Sequence, residues 1–213
     1  MKCDKKHMLL YAVTDRAWTK GQTLSQQVEQ ALKGGVTCVQ LREKDMDNTE
    51  FLQEAREILS LCRQYQVPFI VNDNVEVAIA CGADGTHVGQ EDMAAGEVRR
   101  RIGEDMILGV SVHTVEEARE AVRNGADYLG LGAVFPTSTK TDVDQMPNET
   151  LRAICDAVDV PIVAIGGINL SNIGKLAGSG VDGVALVSAI FSVADIEAAC
   201  RELRKLSEEM VNA

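Results

Sequence analysis

Two carboxylates, Asp73 and Asp92, and three cations, Arg42, Lys44 and Lys140, each stand shortly beyond a short apolar run of the chain. Paired carboxylates on one rim suit Mg²⁺, which takes one or two protein carboxylates and completes its shell with water and substrate phosphate oxygens. Cations brought in from several sides neutralise a polyanion. Two further apolar runs end in Gly166-Gly167 and in Val187-Ser188. Glycines let backbone N–H groups approach phosphate oxygens, and a helix N-terminus adds a favourable potential. Thr137, Ser138 and Thr139 supply hydroxyl donors beside Lys140. Taken singly, each feature has a plain alternative: a tight turn, a capping aspartate, a solvated loop. His87 and His113 are candidates for acid–base work. His87 lies in an apolar run, where a structural histidine fits as well, and His113 directly precedes a helix cap, so both roles stay open. Neither has an HxxxH metal spacing, and neither GxSxG nor HExxH occurs.

The elements that must position these residues repeat from end to end. Strands are expected at Leu9–Val13, Cys38–Leu41, Phe69–Val71, Gly85–Val88, Ile107–Val110, Tyr128–Leu131, Ile162–Ile165 and Gly183–Val187. They are short and apolar throughout rather than alternating, as strands of a parallel sheet covered on both faces should be. Between them lie amphipathic helices. Leu24, Val28, Ala31 and Leu32 share a face ahead of Gly34-Gly35, and Phe51, Ala55, Ile58, Leu59 and Cys62 share the next. Asp47 with Glu50 and Thr114 with Glu117 have N-capping spacing. A last helix spans about 194–210. Gly82-Ala83-Asp84, Gly125-Ala126-Asp127 and Gly180-Val181-Asp182 recur as helix-to-strand turns, with Gly35-Val36-Thr37 a weaker copy. Their glycines suit left-handed helix ends and their aspartates can cap the turn. Eight such units predict one α/β domain over residues 1–213, a single (β/α)8 TIM barrel with residues 1–8 as a short extension; a doubly wound open sheet is the alternative. In the barrel, the residues named above all follow strands, where active sites form, whereas the opposite ends carry mostly Gly, Ala and Asp. The longest break, about 132–147, reads as a functional loop.

A net charge of −11 disfavours nucleic acid and anionic membrane surfaces as partners, and leaves small anions that meet a local cationic site. The apolar run Met8 to Val13 is too short for a signal peptide, and no run approaches a membrane span. The six cysteines form no CxxC pair and read as reduced thiols of a cytoplasmic protein. A homo-oligomer is left open.

Several long segments together resemble the thiamine-phosphate synthase family. They are Tyr11 to Arg16 (YAVTDR), Gln40 to Lys44 (QLREK), Val71-Asn72-Asp73, Gly82 to Asp92 (GADGTHVGQED), Gly109 to His113 (GVSVH), Gly125 to Lys140 (GADYLGLGAVFPTSTK) and Val163 to Ile168 (VAIGGI). The resemblance covers about 9–192. It implies an enzyme that joins 4-amino-5-hydroxymethyl-2-methylpyrimidine diphosphate to 4-methyl-5-(2-hydroxyethyl)thiazole phosphate, releasing pyrophosphate. It implies that Gln40, Leu41, Arg42, Glu43, Lys44, Asn72, Ser111 and Lys140 hold the pyrimidine diphosphate, with Arg42, Lys44, Ser111 and Lys140 serving the chemistry. Thr137, Ser138, Thr139, Gly167, Val187 and Ser188 are implied for the thiazole phosphate, and Asp73 and Asp92 for Mg²⁺. The implied reaction is dissociative: pyrophosphate leaves first and the thiazole nitrogen traps a pyrimidine methylene cation. Residues 141–147 match the family pattern least well. A thiazole tautomerase or a non-catalytic phosphate-ligand sensor on the same scaffold are the competing readings.

Overall fold

The structure is a computed structural model that describes residues 3–19, 21–136 and 146–213. Thr137, Ser138, Thr139 and Lys140 lie outside the described residues.

Eight parallel strands close on themselves in chain order, so β1 pairs with both β2 and β8. They are β1 (Leu10–Val13), β2 (Cys38–Leu41), β3 (Phe69–Asn72), β4 (Gly85–Val88), β5 (Ile107–Val112), β6 (Tyr128–Leu131), β7 (Ile162–Ile165) and β8 (Gly183–Leu186). Around them run α1 (Lys5–Met8), α2 (Leu24–Lys33), α3 (Asn48–Gln64), α4 (Val75–Cys81), α5 (Ala95–Ile102), α6 (Val115–Arg123), α7 (Asn148–Cys155), α8 (Ser188–Phe191) and α9 (Ile196–Val211). The open sheet is therefore excluded. A 3₁₀ turn, Ile173–Leu176, stands between β7 and β8 in place of a full helix.

Two separate cores explain why the strands are apolar throughout. The outward-facing residues, among them Ala12, Leu41, Val71, Leu129 and Leu186, pack under the helices. The inward-facing ones, among them Tyr11, Cys38, Ile70, Ile107, Tyr128, Val163 and Ala185, fill the barrel. The glycines at Gly85 and Gly109 serve this filling. A Cβ on Gly109 would lie 2.2 Å from the Tyr128 ring, and one on Gly85 would lie 2.7 Å from Ile70.

The repeated turns act differently from simple caps. Each polar residue reaches across to the preceding strand rather than back to its own helix. Asp84 accepts from Phe69 N–H at 2.9 Å and donates its own N–H to Phe69 O at 3.0 Å. Asp127 does the same with Leu108, at 2.9 and 2.7 Å, and Asp182 with Ile162, at 2.9 and 2.8 Å. Thr37 is the fourth copy, on Leu10, at 2.9 and 2.8 Å. The bottom of the barrel is thus stapled in the pairs β1–β2, β3–β4, β5–β6 and β7–β8. Gly35, Gly82, Gly125 and Gly180 enter these turns at φ from +75° to +93°, a region that favours glycine.

The N-terminal segment closes the same end. Asp4 and His7 form a capping box for α1, Met8 is buried, and Lys5 pairs with Asp182 at 2.7 Å. Helix starts follow the expected caps, with Asp47 accepting from Glu50 N–H and Thr114 from Glu117 N–H. Glu117 turns its carboxylate to His113 N–H, at 2.7 Å. The last helix begins at Ile196, later than the sequence suggests, because Asp195 caps Ala198 N–H. All six cysteines are free, and burial pushes Cys62 and Cys200 up to about 12, which makes them inert packing residues. No helix among the described residues is long and apolar enough to cross a membrane.

The staples should not be equal in energy. Asp127 also holds the largely buried guanidinium of Arg99, at 2.5 Å, whereas Asp84 binds backbone in its turn. Asp127→Ala is expected to lower stability by about 2–4 kcal/mol and Asp84→Ala by about 1–2 kcal/mol, read as urea midpoints at constant slope. Losses below about 0.5 kcal/mol in both would remove the stapling role.

Candidate active site

Strand alternation and register fix what faces the open end. Gln40 lies two residues above inward-facing Cys38, and Asn72 two above Ile70; across the sheet Asn72 is level with His87, and Ser111 with Gly130. Ser111 was expected beyond its strand. Instead β5 runs two residues further, to Val112, so Ser111 is a strand residue whose side chain points inward to His87. The inner ring below the rim is therefore polar: Gln40, Asn72, His87 and Ser111.

These side chains are joined through the barrel. Gln40 Nε2 donates to the Tyr11 hydroxyl at 2.9 Å, and the Tyr11 and Tyr128 hydroxyls meet at 2.7 Å. His87 then bridges, with Nδ1 2.9 Å from the Tyr128 hydroxyl and Nε2 2.9 Å from Ser111 Oγ. Both phenols are fully buried, and burial pushes them well above the ordinary tyrosine range, so they stay neutral. Sequence reading left His87 open and passed over Tyr11 and Tyr128 as strand filler. The available signal was Gly109, whose missing side chain makes room for the Tyr128 ring.

The loop after β2 carries Arg42, Glu43 and Lys44. Buried Thr14, beyond β1, holds its start: Thr14 N–H donates to Gln40 O at 2.9 Å, and Thr14 Oγ accepts from Arg42 N–H at 3.0 Å. The Arg42 guanidinium is largely buried, with Nη1 4.0 Å from an Asp15 carboxylate oxygen, while Lys44 is exposed. Glu43 behaves differently from its neighbours. Its carboxylate is committed to Arg16, at 3.0 and 3.2 Å, and Arg16 also binds Glu54 at 2.6 Å. Leu41 is fully buried in the outer core, which leaves its backbone as the part at the rim.

Asp73 and Asp92 are both exposed and both tied to the end of β4. Asp73 sits at φ +61°, an uncommon conformation for a non-glycine residue, and donates its N–H to His87 O at 2.8 Å. Asp92 accepts from Gly89 N–H at 2.7 Å. Gln90, in the same loop, donates to Ser111 O at 2.7 Å and ties the loop to β5. His113, by contrast, is exposed beside Glu117, 3.5 Å away, and does not enter this network.

On the other side, Gly166 and Gly167 follow β7 at φ +99° and +65°. The chain after β6 lies directly on them: Val134 N–H donates to Ile165 O at 3.0 Å and Phe135 N–H to Gly166 O at 3.1 Å. A Cβ on Gly167 would stand 2.3 Å from Pro136 O. The segment leading into Thr137 is thereby pinned to the Gly-Gly turn. Next to it, Val187 caps and Ser188 opens α8, whose first N–H groups have no intrahelical acceptor.

Comparison with known proteins converges on one family. The thiamine monophosphate synthase family model matches residues 10–190. The chain belongs to this family. It is similar to a thiamine-phosphate synthase from Clostridium tetani, 50% identical over 91% of this chain and 93% of that one. A thiamine-phosphate synthase from Pyrococcus abyssi is 46% identical over 97% and 98%. Among solved structures, the thiamine phosphate pyrophosphorylase from Pyrococcus furiosus superposes with a TM-score of 0.90 at 40% identity, covering 97% of this chain and 98% of that one. For this thiamine monophosphate synthase family member, the geometry makes the Gly-Gly turn intolerant of any side chain. Gly167→Ala is expected to cost about 1–3 kcal/mol in denaturant unfolding. Gly174→Ala, where a Cβ meets nothing within 4 Å, should stay within about 0.5 kcal/mol of the parent. Equal effects would show that the turn is not constrained by its neighbours.

Proposed function

We propose that the chain joins 4-amino-5-hydroxymethyl-2-methylpyrimidine diphosphate to 4-methyl-5-(2-hydroxyethyl)thiazole phosphate, giving thiamine phosphate and pyrophosphate with Mg²⁺. What family membership carries directly is coarser: an enzyme of thiamine biosynthesis. The observation that carries the finer reading is the single mouth, where tethered loops from separate strands present Arg42, Lys44, Asp73 and Asp92 above an inner ring of Gln40, Asn72, His87 and Ser111.

Two exposed carboxylates held at one strand end offer oxygen donors. That suits a small hard cation bound through one or two carboxylates and completed by water and substrate phosphate. Asp73 and Asp92 would hold Mg²⁺, which when bound supplies positive charge to the leaving diphosphate.

The protein's own part is positioning and charge. Arg42 and Lys44, with Lys140, stabilise negative charge as the bond from the pyrimidine methylene to the diphosphate oxygen breaks and its electron pair leaves with that oxygen. Gln40, Asn72 and Ser111 seat the pyrimidine, with the backbone of Leu41 and Glu43 at its edge. Gly167, Val187 and Ser188, beyond β7 and β8, hold the thiazole phosphate together with Thr137, Ser138 and Thr139. That placement lets the thiazole nitrogen supply the pair for the new carbon–nitrogen bond. No protein nucleophile is required.

The direct test is to mix the two substrates with Mg²⁺ and measure thiamine phosphate and pyrophosphate in equal amounts. Asp73→Asn and Asp92→Asn should each lower turnover by about 100-fold or more with folding intact, and chelation should stop the reaction. Near-parental, metal-independent rates in both would overturn the metal assignment. Lys140→Ala should weaken use of the diphosphate far more than binding of the thiazole phosphate, and an unchanged turnover would remove Lys140 from the chemistry.

A further inference from the structure

We propose that Tyr11, Tyr128 and His87 are positioning residues. They form a hydrogen-bond relay of one polarity that holds Gln40 as an acceptor and Ser111 as a donor toward the mouth, and so sets which way round the aminopyrimidine sits. The inference rests on the substrate reading above and adds three residues to it.

The polarity follows from the orientation of the Gln40 amide, whose Nε2 faces Tyr11. Gln40 Nε2 has hydrogens and no lone pair to offer, so the Tyr11 oxygen accepts from it and the Tyr11 proton goes to Tyr128, at 2.7 Å. The Tyr128 proton then has His87 Nδ1 as its partner, at 2.9 Å. Nδ1 is therefore the acceptor, and the imidazole is the neutral tautomer protonated at Nε2. That proton goes to Ser111 Oγ, also at 2.9 Å, which leaves the serine's own proton to donate elsewhere. An imidazolium would make Tyr128 accept twice and donate nowhere, inside a core where both phenols are sealed from water.

The two ends of the relay are the parts that meet a ligand. With Nε2 committed to Tyr11, the Gln40 carbonyl oxygen accepts from no described residue, yet it is not sealed in. The sealed, unpaired side-chain atoms among the described residues are Gln27 Oε1 and Ser179 Oγ. A 4-aminopyrimidine offers the matching edge, an amine that donates to Gln40 and a ring nitrogen that accepts from Ser111. The reactive methylene is attached beside the amine. This orientation therefore turns the methylene toward β2, whose loop carries Arg42 and Lys44 for the departing diphosphate. The reversed relay would present a donor at Gln40 and an acceptor at Ser111, and would seat the ring the other way.

Two measurements test this. In the parent enzyme labelled with ¹⁵N-histidine, the His87 signals are identified by their loss in His87→Gln. They should show the Nε2–H tautomer. The Nδ1–H tautomer or an imidazolium would overturn the relay as drawn. In steady-state assays, Tyr128→Phe and His87→Leu should raise KM for the pyrimidine diphosphate about ten-fold and leave KM for the thiazole phosphate within about two-fold. The preference for the 4-amino substrate over its 4-oxo analogue should fall about ten-fold, because a freed Gln40 amide can turn to meet either edge. His87→Gln keeps one acceptor and one donor and should recover much of that preference. An unchanged preference, or both KM values rising together, would reduce the three residues to packing. A parent enzyme that forms no thiamine phosphate would instead overturn the substrate reading, which the tautomer measurement does not depend on.

Discussion

Closure of the parallel sheet is the constraint from which the rest follows. Once β1 pairs with β8, every strand is hydrogen-bonded on both edges and the barrel interior is reached only from its ends. The lower end is stopped by Met8 and α1 and stapled by Thr37, Asp84, Asp127 and Asp182. A polar side chain pointing inward must then find a protein partner or face the one remaining opening. Tyr11 and Tyr128 take the first course. Gln40 and Ser111 lie between the two, paired on one side and open on the other, and His87 joins Tyr128 to Ser111.

The same constraint divides labour between strand and loop. Strand positions have fixed rotational settings, so the residues that must hold an orientation sit there. The charged groups sit on the loops above, where water can reach them before a substrate does. Even so, the loops are not free: Thr14, Gln90 and the Gly166 carbonyl each tether one of them to a neighbouring strand. Alternate strand pairs stapled from below and adjacent loops tied from above give the mouth its shape from both directions.

Much of this was legible in the chain. Apolar runs without alternation read as strands covered on both faces, and turns of the Gly-Ala-Asp kind, repeated along the chain, favoured a closed barrel over an open sheet. The rule that barrel sites lie beyond the strands then selected Arg42, Asp73, Asp92 and Gly167 without coordinates. What escaped were contacts across the barrel. Tyr11 and Tyr128 are 117 residues apart and each reads as a hydrophobic strand residue, so nothing local links them. Asp84, Asp127 and Asp182 read as caps of their own turns because sequence shows the helix they follow and not the strand beside them. Nothing local in the chain showed that Arg16, well before Glu43, holds the Glu43 carboxylate.

That last pair bears on how an acidic protein handles anions. The chain carries a net charge of −11, yet charges beyond about 8 Å are largely screened at physiological salt. What a small anion at the mouth meets is the local set. Glu43, next to Arg42 in the chain, turns its carboxylate to Arg16 instead, and Glu54 shares the same cation. The mouth therefore carries both signs, with Arg42 and Lys44 standing beside Asp15, Asp73 and Asp92. The net negative charge of the whole chain disfavours large polyanions that cannot enter the barrel.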